Sequence, residues 1–202
     1  MIAVLDYGIG NLRSAEKALQ RVGADARLVA DPEEASAAAA VVLPGVGAFG
    51  RCMEALRACG LDRVAVEAVA QGKPFLGICI GMQMLFEFSD ESPGTPGLGL
   101  LAGGVRSLPD GVKRPQMQWN VLEPCGPGSP LLGGMGEPAW VYFVHSYAAE
   151  LSDHVVATCD YGGPVVAAVE QGRLFATQFH PEKSGQAGMR LLANFVAASQ
   201  EA

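Results

Sequence analysis

The chain carries little charge. Only 17% of its residues are Asp, Glu, Lys or Arg, while half of its 202 residues are hydrophobic. That composition supplies a packed core and excludes a disordered chain. It also lacks a basic excess. The net charge is −7 and the pI is near 4.9, which disfavours nucleic acid or an anionic membrane surface as a partner. No long hydrophobic run is present. The longest, around residues 75–86, is short and broken by glycine, so no membrane span is expected. The opening MIAVLDYGIGNLRS has no basic stretch before its first apolar run, so no signal peptide is expected. The five cysteines, Cys52, Cys59, Cys79, Cys125 and Cys159, form no C-x-x-C and share no metal spacing with histidine. An odd count without such spacing argues against a disulfide framework and for a reducing compartment, with the cytoplasm as the expected location. No metal cluster and no P-loop supports a metal or nucleotide enzyme, so neither a metal nor a nucleotide cofactor is expected.

What is present is an alternation. Apolar strands are expected at 2–6, 26–30, 40–43 and 74–78, separated by helical patterns at 11–22, 32–39, 51–58 and 61–71. Asp31-Pro32 reads as an N-cap followed by a first-turn proline. A further helix is expected from 80 to 88. Short buried strands alternating with helices predict an open, mainly parallel twisted sheet covered on both faces, with right-handed crossovers. Beyond residue 92 the texture changes to loops and short strands, at 104–107, 114–122, 140–149, 154–160, 164–170 and 173–179. Several of these are expected to be antiparallel. A last helix is expected over 185–199. No repeat or linker divides the chain, so one α/β domain spanning 1–202 is expected.

The stretch Gly77-Ile78-Cys79-Ile80-Gly81 sits where the fourth strand gives way to a helix. In a doubly wound sheet, functional residues gather beyond the carboxyl ends of the strands. A G-x-C-x-G has the logic of a nucleophile elbow: a sharp turn exposes the sulfur, and small flanking residues let the chains approach. The helix N-terminus is expected to favour a thiolate, and the Ile80 N–H to face a developing oxyanion. The alternative is a buried core cysteine. Of the three histidines, His145, His154 and His180, the last stands in FATQFHPEKSG, two residues before Glu182. Pro181 is expected to keep the chain extended, so that His180 and Glu182 point the same way. Cys79, His180 and Glu182 then form a nucleophile, a base and an orienting acid. The other reading of the last two is a solvated loop pair. Pro44-Gly45-Val46-Gly47, after the third strand, offers further backbone N–H groups near Val46 and Gly47, or is a plain turn.

PGVGAFG, GICIGMQ and FHPE, in that order along the chain, resemble the oxyanion, nucleophile and His/Glu motifs of the class I (triad) glutamine amidotransferases. DYGIGNL, GMQMLFE, GLGLL, YFVHSY and QFHPEKSG further resemble the branch of that family formed by glutaminase subunits of imidazole glycerol phosphate synthases. The resemblance covers essentially the whole chain. It implies a flavodoxin-like fold and hydrolysis of glutamine to glutamate and ammonia. It implies glutamine binding by Gln83, Glu91, Ser146 and Tyr147, with Glu91 meeting the substrate ammonium. It also implies a heterodimer with a (β/α)8-barrel cyclase subunit, which uses the ammonia to make imidazole glycerol phosphate and aminoimidazole carboxamide ribotide in histidine biosynthesis. Asn11, Trp119, Asn120, Tyr142 and Lys183 are the implied interface residues. A glutaminase held near-silent until the partner and its nucleotide bind is implied as well, with the PGVG peptide completing the oxyanion hole only then. One position departs from the family: where MGWN is usual, this chain has Met117-Gln118-Trp119-Asn120.

Three other readings remain at this level. The triad could feed a different synthase, as in pyridoxal phosphate, anthranilate or purine synthesis. DYGIGNL and HPEKSG argue against it. A cysteine peptidase or hydrolase on the same sheet would have no use for Gln83 or Glu91. A non-catalytic flavodoxin-like module would lack a reactive thiol.

Overall fold

The computed structural model describes residues 1–126 and 128–200. Its first half runs β1 (Ile2–Leu5), α1 (Leu12–Arg21), β2 (Ala26–Val29), α2 (Pro32–Ser36), β3 (Ala40–Gly45), α3 (Phe49–Ala58), α4 (Leu61–Ala70), β4 (Phe75–Cys79) and α5 (Ile80–Gln83). The second half runs β5 (Phe88–Ser89), β6 (Gly104–Ser107), β7 (Gln116–Val121), β8 (Glu123–Pro124), β9 (Trp140–His145), β10 (Tyr147–Ala149), β11 (Val155–Asp160), β12 (Pro164–Gln171), β13 (Leu174–Thr177) and α6 (Gly185–Gln200). Short 3-10 turns cover Pro130–Leu132 and Pro181–Lys183.

The main sheet has the order β2-β1-β3-β4-β13-β12-β11-β8. Its first five strands are parallel and its last three antiparallel. Every residue of β1, β3, β4 and β13 is buried, because helices cover both faces and leave no polar side. The order reverses at β1. The right-handed crossover through α1 therefore lies on one face and those through α2, α3 and α4 on the other. α6 returns to pack beside α1. Phe49, Phe75, Phe86, Phe143, Phe179 and Phe195 are fully buried, and each such side chain contributes roughly 1.5–3 kcal/mol through removal from water.

Three elements differ from expectation. The helix expected over 80–88 lasts one turn. The carbonyls of Met84, Leu85, Phe86 and Glu87 accept instead from the amides of Leu98, Leu100, Gly99 and Gly97. The loop that follows takes the acceptors a longer helix needs. The helix expected to residue 39 ends at Ser36. Asp31 caps it as expected, its Oδ1 accepting from the Glu34 amide at 2.9 Å, but Ala39 is drawn out to donate to the Met1 carbonyl. The strand expected over 140–149 breaks at Ser146. β9 pairs with β7 in a two-stranded ribbon, and β10 joins a separate β10-β6-β5 sheet. Gln118 leaves the ribbon intact: it lies within β7, opposite Phe143, and an extended strand takes any side chain there.

Candidate active site

Cys79 ends β4 with φ 55° and ψ −110°, the one non-glycine residue at positive φ among the described residues. Such a conformation costs about 1–3 kcal/mol and persists only where the surroundings impose it. The glycines at either side show how. A Cβ on Gly81 would stand 1.8 Å from the Leu43 carbonyl oxygen, and one on Gly77 would stand 3.0 Å from the Gly81 carbonyl oxygen. β3 and the elbow are pressed together too closely for any side chain. Cys79, buried though it is, lines a cavity of about 240 Å³.

His180 reaches that cavity from the segment after β13, with Glu182 behind its ring. The Nδ1 of His180 lies 2.8 Å from Glu182 Oε1. The geometry differs from the extended chain expected after Pro181. His180 is extended, but Pro181–Lys183 is a 3-10 turn that folds Glu182 back onto the ring. His180 Nε2 is buried and has no hydrogen-bond partner, as does Glu182 Oε2. Burial alone would hold the imidazole neutral. The neighbouring Cys79 and Glu182 outweigh it and raise the His180 pKa to about 9, so the ring is an imidazolium at neutral pH.

Val46, Gly47, Ile80, Gln83, Glu91, Ser146 and Tyr147 line the same cavity, with Pro115, Val144 and His145. Two sequence expectations change in detail. The N-terminus expected to favour the thiolate belongs to a helix of four residues, too short for a sizeable macrodipole. Glu91 is not wholly free for substrate: its Oε2 accepts from the Phe49 amide at 2.7 Å, tying it to the start of α3. The PGVG segment is held from two sides, the Tyr7 hydroxyl donating to the Pro44 carbonyl at 2.7 Å and the Cys52 thiol to that of Val46 at 3.4 Å.

Gln178 escaped the sequence reading. Its Nε2 lies 3.7 Å from Cys79 Sγ. The signal was its place two residues before His180, in QFHPE. His145 is buried between the Tyr147 carbonyl and Gln116, and burial lowers its pKa to about 4. Its contacts are structural.

The ribbon β7–β9 stands at the mouth. Cross-strand register puts Met117, Trp119 and Val121 on one face with Val144, Tyr142 and Trp140. That face is apolar and turned outward, Met117 being 62%, Trp119 48% and Trp140 50% exposed. Lys183 Nζ lies 6.0 Å over the Tyr142 ring. Asn120 points to the opposite face and donates to the Asp160 carbonyl. Asn11 is exposed at the start of α1, its Oδ1 accepting from the Ser14 hydroxyl. Met117 and Trp140 were missed. Their position on one ribbon face follows from the β7–β9 register, which the sequence does not state.

The family model for class-I glutamine amidotransferases matches residues 3–198. Among curated proteins, the chain is 52% identical to "Imidazole glycerol phosphate synthase subunit HisH" of Methanothermobacter thermautotrophicus, over 97% of this chain and 98% of that one. It is 47% identical to the protein of the same name from Acinetobacter baylyi, over 96% and 97%. Among solved structures, a "glutamine amidotransferase" superposes with a TM-score of 0.76 at 24% identity, over 98% of both chains. "PurLQS from Thermotoga maritima" superposes with a TM-score of 0.74 at 20% identity, over 98% of this chain and 97% of that one. At those identities the structures speak to the fold.

Proposed function

Since the chain belongs to the class-I glutamine amidotransferases, we propose that Cys79, His180 and Glu182 are its triad and that a cyclase barrel is its partner. It is the glutamine amidotransferase subunit of an imidazole glycerol phosphate synthase, acting in histidine biosynthesis. The observation that carries this is about 50% identity over nearly the full length of such subunits. The triad assignment is supported by the strained Cys79 and His180 lining one cavity, with Glu182 on the other ring nitrogen of His180.

The Cys79 thiolate attacks the carboxamide carbon of glutamine. The amide of Ile80 and one from Val46–Gly47 hold the oxyanion, and losing one such donor costs about 10²–10³ in rate. Imidazolium His180 gives its Nε2 proton to the departing nitrogen, and ammonia leaves behind a glutamyl thioester. His180 then takes a proton from water, which attacks the thioester. Glutamate departs, and the thiolate and imidazolium are restored. Glu182 stabilises the imidazolium through Nδ1. Gln83 Oε1, buried and unpartnered, accepts from the substrate, while Glu91, Ser146 and Tyr147 complete its site.

The ammonia passes to a (β/α)8-barrel cyclase docked on the ribbon face. Trp119 and Tyr142 with Lys183 supply the anchor; Asn11 is exposed at the start of α1, and Asn120 supports the ribbon from its other face through the Asp160 carbonyl. An exposed apolar face of this kind is an interface signal. One domain spanning 1–202 fits the single core cluster that joins both halves of the described chain. A cytoplasmic location fits five free cysteines. Among the described residues no helix is long and apolar enough to cross a membrane.

The test is glutamate release from glutamine by the purified chain, alone and with the cyclase barrel and its nucleotide ligand, with Cys79→Ala as control. Stimulation by the barrel that is lost in Cys79→Ala supports the assignment. High activity indifferent to the barrel would keep the glutaminase and remove the partner.

A further inference from the structure

A buried thiolate needs a donor besides its imidazolium. The four-residue α5 supplies little dipole, and His180 Nε2 makes no hydrogen bond of its own. The side chain that does reach the sulfur is that of Gln178, a fully buried residue whose backbone N–H donates to the Ala167 carbonyl at 2.8 Å. We propose that Gln178 is a catalytic residue, whose side-chain amide donates to Cys79 Sγ and holds it as the reactive thiolate. The proposal rests on the reading of Cys79 as nucleophile.

The orientation of the Gln178 amide follows from its neighbours. Gln83 Nε2 lies 2.9 Å from the Tyr147 carbonyl oxygen and 3.0 Å from the Gln178 side-chain oxygen. A backbone carbonyl only accepts, so the Gln83 group facing it is NH2. The second proton of that same NH2 points at Gln178 and requires oxygen there. Gln178 must therefore turn its own NH2 the other way, onto Cys79 Sγ at 3.7 Å. The same assignment leaves Gln83 Oε1 without a donor at the cavity. Polarity thus runs from the Tyr147 carbonyl through Gln83 and Gln178 to the sulfur, with no freedom to reverse. His145 Nδ1, 2.8 Å from the same carbonyl, steadies its fixed end. An N–H directed at sulfur favours the charged form over the thiol, because charge-assisted bonds are the stronger ones.

Alkylation reads this without glutamine turnover. The full-length chain is treated with iodoacetamide at pH 6.5 and at pH 9.5, and the Cys79 peptide is followed by mass spectrometry. Gln178→Met fills the space and removes the donor. Gln178→Glu keeps an acceptor for Gln83 and sets a carboxylate against the sulfur. At pH 6.5 Cys79 alkylation is expected to slow about tenfold in the Met variant, the scale of one bond to a charged group, and further in the Glu variant. At pH 9.5 the rates converge to within about twofold, since thiolate is then abundant in every form. Glutaminase kcat falls while KM stays within about threefold. Folded variants with parental rates at both pH values would overturn the proposal, as would equal slowing at both, which marks a steric defect. If the Met variant does not fold, the near-isosteric Glu variant decides by the same criteria. A parent chain whose Cys79 reacts no faster at pH 6.5 than Cys59 or Cys125 would instead overturn the nucleophile reading itself.

Discussion

At Cys79 the usual order of glycine and alanine is expected to invert. Alanine normally stabilises relative to glycine by restricting the unfolded chain. At φ 55° the folded state of any residue with a Cβ is strained. Cys79→Gly and Cys79→Ala should both lose glutaminase activity, yet the glycine variant should be the more stable by about 1 kcal/mol. Urea unfolding of the pair measures this, and an alanine variant at least as stable would show that the elbow is relaxed. Gly81 is the opposite case. Its missing Cβ is what lets the elbow sit 1.8 Å, in Cβ terms, from the Leu43 carbonyl. Gly81→Ala must push β3 and β4 apart or fail to fold, a loss of more than about 4 kcal/mol on the scale of severe core changes. A melting temperature within a few degrees of the parent would refute that.

Among the elements, the β7–β9 ribbon divides its two faces between jobs. Phe143, Val141 and His145 face inward and are buried, while Trp119, Trp140 and Met117 face outward. Trp140→Ala is therefore expected to leave the melting temperature within about 2 °C but to weaken binding of the cyclase barrel at least tenfold, as for an exposed aromatic buried by the partner. Titration calorimetry against the barrel reads it. Unchanged affinity would move the interface off this face. The ribbon also shows where sequence reading stops. Cys79 is legible because G-x-C-x-G carries the mark of its steric demand in its own two glycines. Glu182 is legible for its partner and not for its route, since the 3-10 turn after Pro181 replaces the extended chain. The helix expected to residue 88 fails because its carbonyls are claimed by Gly97–Leu100, a contact set by tertiary folding and not by periodicity. The break at Ser146 and the fit of Gln178 beside Cys79 depend likewise on which strands become neighbours.

Over the whole molecule, two buried histidines pull the pH dependence of stability in opposite directions. His145 has its pKa lowered to about 4 by burial, against about 6.5 in the unfolded chain. Its neutral form suits the fold, so its contribution is intact above about pH 6.5 and is lost as pH falls toward 4, where only the unfolded chain binds the proton. His180 has its pKa raised to about 9, Cys79 and Glu182 outweighing burial. Its contribution is present below about pH 6.5 and drains away as pH rises through 9, because the folded state there holds a proton that the unfolded chain has already released. Each limb amounts to about 1–3 kcal/mol. Unfolding free energy measured by urea from pH 4 to 10 should therefore crest near pH 6.5. His145→Gln should flatten the acid limb and leave the alkaline one, and His180→Gln should do the reverse while abolishing glutaminase activity. A His180→Gln variant with the full alkaline loss would mean that the triad imidazole is neutral at rest. The proton for the departing ammonia would then have to come from the thiol at the moment of attack.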